Sequence, residues 1–300
     1  MTLTRRDFAS GALLAATALA ATRAAAQASP TTGYKTVNGV DYYYEIVGEG
    51  EPLLLLHGGL GAADMFGPNT ALLGEDRQLI LVDLYGHGHT ALTERPVGYE
   101  TMGDDMAGLL DALGYDTVDV LGYSMGGGIA FQLAAQHLDK VRRMALVSTG
   151  FSRDGCYADI LAMQAMVGAD MAGAMQGTPM HATYMARAPK PEDFPRLLDE
   201  MGTLMKTGYD WSDEAKALPM PVMLVYGDSD MFRPEHEIAF FQLLGGGLKD
   251  GGWQRESVTQ NRLAILPGRT HYEMGVAPEL PGTVLPFLNG TEPKAVWTAN

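Results

Sequence analysis

Val118-Asp119-Val120-Leu121-Gly122-Tyr123-Ser124-Met125-Gly126-Gly127-Gly128 carries an apolar run into a glycine-bracketed serine and on into a helical stretch, Gly126–His137. The G-x-S-x-G pattern is informative because of where it stands, between a strand and a helix. So sharp a turn needs small neighbours, which Gly122 and Gly126 supply, and Gly127 and Gly128 let the helix lie close to the sheet. The turn lifts the Ser124 hydroxyl to a helix N-terminus, where the dipole favours developing negative charge.

Outward from this stretch the chain alternates. Short, continuously apolar runs at Leu53–Leu56, Leu79–Val82, Val118–Leu121, Met144–Val147, Val222–Tyr226 and Leu263–Leu266 have the pattern of strands buried on both faces. Helical stretches at Thr101–Leu113, Gly126–His137, Pro234–Leu244 and Pro278–Leu288 lie between or after them. That alternation predicts an α/β fold with a mostly parallel, doubly wound sheet. Ahead of it, Lys35–Asn38 and Val40–Val47 flank Asn38-Gly39 and predict a hairpin. Residues 151–218 break the rhythm: they contain no comparable strand, but eight of the 18 methionines and several prolines. We read them as a helical cap inserted into a core formed by 29–150 and 219–300. Leu60, Tyr123, Met166 and Met175 are expected to line the substrate pocket, since methionine adapts to irregular apolar ligands.

A serine hydroxyl is a poor nucleophile until a base takes its proton. His271, just after the last apolar run, is the candidate. His57, His87 and His89 follow earlier runs, and His137, His181 and His236 lie in or beside helices or in the cap. An aspartate must hold the imidazole in the right tautomer, and Tyr226-Gly227-Asp228-Ser229-Asp230 offers two. An oxyanion hole needs two backbone donors: Met125 N–H is one, and Gly59 or Leu60 supplies the other. His87-Gly88-His89 lacks a further ligand at metal-binding spacing, so no metal is expected. Asp83 precedes Ser124 in the chain and is read as orienting the Gly86–Thr90 loop. The lone cysteine, Cys156, excludes an intrachain disulfide and is read as a small buried side chain.

From about residue 34 to 289 the chain resembles the α/β-hydrolase superfamily, close to its capped serine esterases, lactonases and proline-iminopeptidase-like members. His57-Gly58-Gly59 looks like the oxyanion motif, Gly86-His87-Gly88-His89-Thr90 like the G-H-G-x-S loop, and Gly122–Gly126 like the nucleophile elbow. The resemblance implies the chain order Ser124, Asp230, His271 for the catalytic triad, Gly59 and Met125 for the oxyanion hole, and no cofactor. One departure is the long stretch between Asp230 and His271, accounted for by a surface insertion around Gly245–Gly252. The implied activity is hydrolysis of a neutral, fairly apolar carboxylic ester or lactone through an acyl-enzyme on Ser124. An amide or N-terminal peptide hydrolase, which would need cap carboxylates to bind an ammonium, remains a rival. So do a C–C hydrolase, a perhydrolase, and a non-catalytic ligand-binding protein of the same fold.

Composition narrows the partners. The 300 residues are 46% hydrophobic and 19% charged, enough apolar material for a large core, and the formal net charge of −15 excludes a nucleic-acid stripe. Arg5-Arg6 with Phe8, an alanine-rich run to Thr22 and A-x-A patterns ending at Ala26 and Ala28 read as a cleaved twin-arginine signal over residues 1–28. The expected location is therefore the periplasm, reached through the twin-arginine export machinery. The run is too weakly apolar and too short for a stable membrane anchor.

Overall fold

Eight strands form one sheet in the computed structural model, which describes residues 30–291 together with Pro293 and Lys294. They are β1 (Thr31–Val37), β2 (Val40–Val47), β3 (Glu51–Leu56), β4 (Arg77–Val82), β5 (Val118–Tyr123), β6 (Val141–Val147), β7 (Val222–Ser229) and β8 (Arg262–Thr270). The order across the sheet is β1-β2-β4-β3-β5-β6-β7-β8. The β1–β2 hairpin turns at Asn38-Gly39 and joins β4 antiparallel, and every later pairing is parallel. The expected signal segment, 1–28, lies outside the described residues.

Period-2 alternation sorts the apolar runs onto two faces. Leu54, Leu56, Ile80, Val120, Leu146 and Leu224 pack on one face, in a layer shared with α2 (Tyr99–Leu113) and α3 (Met125–Gln136). Leu53, Leu55, Leu79, Leu121 and Val225 pack on the other, with Leu73 of α1 (Asn69–Leu73) and with Leu280, Val284 and Leu288 of α9 (Leu280–Leu288). Both layers being apolar, each central strand reads as an unbroken run.

Between β6 and β7 the described chain holds α4 (Ala158–Ala165), α5 (Pro179–Arg187), α6 (Phe194–Lys206) and α7 (Ser212–Ala217), interspersed with short 3-10 turns. The predicted boundary at 218 needs adjustment. α7 packs against α3 and α8 (Pro234–Leu243), and Trp211 just ahead of it stacks on Phe131 of α3 with ring centroids 5.1 Å apart. The final helix of the inserted segment thus covers the sheet rather than the pocket.

β8 runs to Thr270, through Pro267-Gly268, which the sequence places in a loop. β8 is the edge strand, where proline costs no ladder bond on the open side, and the pairing shifts register opposite Gly227 and Ser229. The loop before β8 is the expected insertion. Its base is closed by Asn261, whose side chain accepts from Val222 N at 2.7 Å and donates to Leu244 O at 2.5 Å.

Candidate active site

Ser124, Asp230 and His271 each directly follow the end of a parallel strand. At the end of β5 the chain turns into α3 with Ser124 at φ 53°, ψ −117°, a conformation few non-glycine residues adopt. A Cβ on Gly126 would lie 2.2 Å from Leu56 O, and one on Gly122 would lie 2.3 Å from Gly126 O, so the elbow closes only with glycine at both positions.

Ser124 Oγ lies 2.9 Å from His271 Nε2, and His271 Nδ1 lies 2.9 Å from Asp230 Oδ1. His271 opens a 3-10 turn directly after β8, and Asp230 follows β7. The choice between the two aspartates falls to Asp230. Asp228 is exposed and its Oδ2 accepts from Gly268 N at 2.9 Å, tying the ends of β7 and β8 together. Asp230 is held from several sides: Oδ2 accepts from Ser148 Oγ at 2.5 Å and Gly227 N at 3.4 Å, and Oδ1 from Met231 N at 2.7 Å. Burial alone would raise its carboxyl pKa, but hydrogen bonds and charge from His271, with the donors Ser148 and Gly227, outweigh burial and hold it below the usual range.

Ser148 is a partner that sequence reading missed. It follows β6 directly and takes φ 52°, the same left-handed region as Ser124. Its position at a strand end was the available signal. Tyr123, expected at the pocket, is among its lining residues, and its hydroxyl donates to His271 O at 2.6 Å, anchoring the backbone there.

The neighbouring loops are braced by the motif histidines and Asp83. His57 Nδ1 lies 2.7 Å from Gly58 O and its Nε2 accepts from Leu84 N at 3.0 Å, an arrangement that requires the neutral imidazole; burial also lowers its pKa. Asp83 accepts from Ala63 N at 2.6 Å and His89 N at 2.8 Å, linking the loops after β3 and β4. His87 is buried with Nδ1 on Tyr85 O, and burial pushes its pKa down to about 3. Among the described residues no group of three or more potential metal ligands occurs.

Ser124 and His271 open into a cavity of about 390 Å³ that Gly59, Leu60, Tyr123 and Met125 also line. The N–H groups of Gly59 and Met125 have no partner among the described turns and loops, leaving both as donors. Methionine dominates the rest of the wall, but not the two methionines expected. Met166 is 70% exposed at the end of α4, facing solvent, and Met175 is 9% exposed and packed into the cap interior. Neither lines the cavity; Met65, Met180, Met201, Met205 and Met231 do. Met201 and Met205 are one turn apart on α6, a spacing visible in the sequence. Cys156 is buried beside the cavity, with its thiol pushed up to about 12 by burial, as an inert side chain requires. Of the cap carboxylates Asp159, Asp170, Glu192, Asp193, Asp199 and Glu200, none lines the cavity. Its one permanently charged side chain is Arg153.

A family model described as the alpha/beta hydrolase fold matches residues 51–201, half of the chain. The chain belongs to the α/β-hydrolase family. The pimeloyl-[acyl-carrier protein] methyl ester esterase of Nitrosospira multiformis is 25% identical over 261 residues, covering 77% of this chain and 92% of that protein. The 2-hydroxymuconate semialdehyde hydrolase of Pseudomonas putida is 38% identical over 109 residues, covering 34% of this chain and 37% of that one. The first curated relative is likewise matched over only 43% of its length, so the chain spans less than half of several of these proteins. Among solved structures, the enol-lactonase of Burkholderia xenovorans LB400 superposes with a TM-score of 0.64 at 22% identity, covering 86% of this chain and all of that one.

Proposed function

We propose that this α/β-hydrolase is a serine hydrolase that cleaves a small, largely apolar carboxylic ester or lactone through an acyl-enzyme on Ser124. The observation that carries the reading is the unbroken relay from Ser124 Oγ through His271 to a buried, ionised Asp230, with Ser124 and His271 opening into a largely apolar cavity. His271 takes the Ser124 proton as Oγ attacks the carbonyl, and Asp230 stabilises the imidazolium that forms. The amides of Gly59 and Met125 receive the oxyanion. His271 then protonates the departing alcohol, and water, deprotonated by the same imidazole, releases the acid. The cycle calls on no cofactor.

An aminopeptidase-like reading loses support because a substrate ammonium would meet no carboxylate in the cavity wall. The test is a burst of p-nitrophenol from p-nitrophenyl acetate, with stoichiometric labelling of Ser124 by a fluorophosphonate. A silent assay with an unlabelled Ser124 would return the protein to the ligand-binding reading. Turnover of vinylogous diketones but not of esters would move it to C–C bond cleavage. We also propose export through the twin-arginine machinery, on the strength of Arg5-Arg6 ahead of an alanine-rich run. Arg5→Lys with Arg6→Lys should strand the precursor in the cytoplasm, and a normal periplasmic yield would refute that route.

A further inference from the structure

Arg153 is out of character with the wall it stands in. It lies in a cavity lined by methionine, leucine and aromatic rings, within a chain of formal net charge −15. Arg153 is half-buried, and a guanidinium taken out of water is ordinarily paired with a carboxylate. Yet no Asp or Glu lies within ion-pair distance of Arg153 among the described residues.

Its position is fixed all the same. Nε donates to Met205 O at 2.7 Å, at the C-terminal end of α6 where the helix dipole favours a cation, and the backbone N donates to Tyr209 O at 3.2 Å. Anchoring uses one of the five guanidinium N–H groups and leaves both terminal nitrogens free. Two tyrosines line the same cavity. Tyr99 and Tyr209 pack edge to face with centroids 5.6 Å apart, both line the cavity, and neither hydroxyl has a hydrogen-bond partner among the described residues. A held guanidinium with two free nitrogens and two unpartnered hydroxyls lining one cavity make a set of donors without an acceptor. The acceptor whose geometry matches the planar fork is a carboxylate.

We propose that Arg153, with Tyr99 and Tyr209, forms a carboxylate subsite, so that the ester cleaved at Ser124 carries a second, free carboxylate separated from the scissile carbonyl by an apolar spacer. This rests on the serine-hydrolase reading above and deepens it. The acidity of the whole chain argues for a neutral substrate only at long range. Within the cavity the nearest permanent charge is positive, and the low-dielectric wall strengthens it. The spacer passes the methionines, which adapt to its bends.

The experiment compares monomethyl glutarate with its uncharged carbon isostere, methyl 5-methylhexanoate, following acid release in a pH-stat. The wild type should favour the charged ester in kcat/KM by about tenfold to a hundredfold, mostly through KM, and less so at high salt. Arg153→Met should abolish or invert that ratio, and Arg153→Lys should restore part of it. A wild type that favours the neutral ester, or a ratio unmoved by Arg153→Met, overturns the subsite and leaves Arg153 as an anchor for the end of α6. Should Arg153→Met not fold, calorimetry on the wild-type protein decides the matter. 5-Oxoheptanoate, the non-hydrolysable ketone analogue of monomethyl glutarate, should bind more tightly than its uncharged isostere 7-methyloctan-3-one, and the reverse order overturns the proposal. If 5-oxoheptanoate binds but neither ester turns over and Ser124 resists the fluorophosphonate, the hydrolase reading fails while the anion subsite stands.

Discussion

The loops that carry the triad and the cap that roofs it are built on opposite plans. In the triad loops polar groups hold one another: Asp230 has four donors, His271 is held at both ring nitrogens and through its carbonyl, and Asp83 joins two loops. In the cap the side chains that line the cavity include Met180, Met201 and Met205, and α4 buries no residue at all. A hydrogen-bonded constellation has one good geometry, whereas a thioether wall has many of similar energy. On the proposed function, the chemistry is thereby fixed to the sheet, and the fit to substrate is left to a softer layer.

That contrast breaks most readily at the triad. Ser124→Ala, His271→Ala and Asp230→Asn should each fold with unchanged circular dichroism and lose on the order of 10⁴ in turnover. Asp228→Asn should cost far less, because an amide oxygen can still accept from Gly268 N. Were Asp228→Asn the inactive variant, the acid would be misassigned.

In the cap the loss should appear in stability instead. Met175→Ala removes a side chain from the cap interior and should cost about 2–5 kcal/mol by denaturant titration, with the ranking of ester substrates unchanged. Met201→Ala, which empties part of the cavity wall over Gly59, should change that ranking. If Met175→Ala reorders substrates, the cap interior and the cavity wall are not separable layers.

Ser148→Ala sharpens the comparison from the sheet side. It removes one of the donors that keep Asp230 ionised, and turnover should fall by about tenfold or less with KM little changed. A KM effect without a turnover effect would instead mark Ser148, which also lines the cavity, as a substrate contact.

The smallest effect on turnover is expected behind the triad, at Glu237 on α8. Burial, with the negative charges of Asp230 and Glu235, pushes its carboxyl up from 4.5 to about 8. Folding therefore takes up a proton between those values, so stability falls as pH rises through that window, by at most about 1.4 kcal/mol per pH unit. Glu237→Gln should flatten this slope: its Tm advantage should be near zero at pH 4.5, grow to about pH 8 and then level off. A difference independent of pH would mean that Glu237 does not titrate in this way.

The same division explains what could be read from the sequence. The central strands were legible because both faces are buried, which leaves an unbroken apolar run with turn residues at its ends. Ser124 and His271 were legible because strand ends converge on one edge of a parallel sheet. Ser148 stands at just such an end but carries no motif. Strand ends were misjudged where the edge position of β8 tolerates Pro267. The cap was legible as an insertion but not in its facing, because short helices broken by prolines give too few turns for an apolar stripe to orient them. α6 is the exception: its Leu197, Leu198, Met201 and Leu204 form a clear stripe, and it brings Met201 and Met205 to the cavity.

The closed base at Asn261 has a practical consequence. With the start of β7 and the end of α8 clasped by one amide side chain, the excursion between Leu244 and Asn261 leaves and re-enters the fold at one point. Its length is thus mechanically uncoupled from the placement of Asp230 and His271. That makes the loop a natural port for engineering, where an affinity tag or a second domain could be spliced in near the solvent-exposed Trp253 while the hydrolytic centre remains undisturbed.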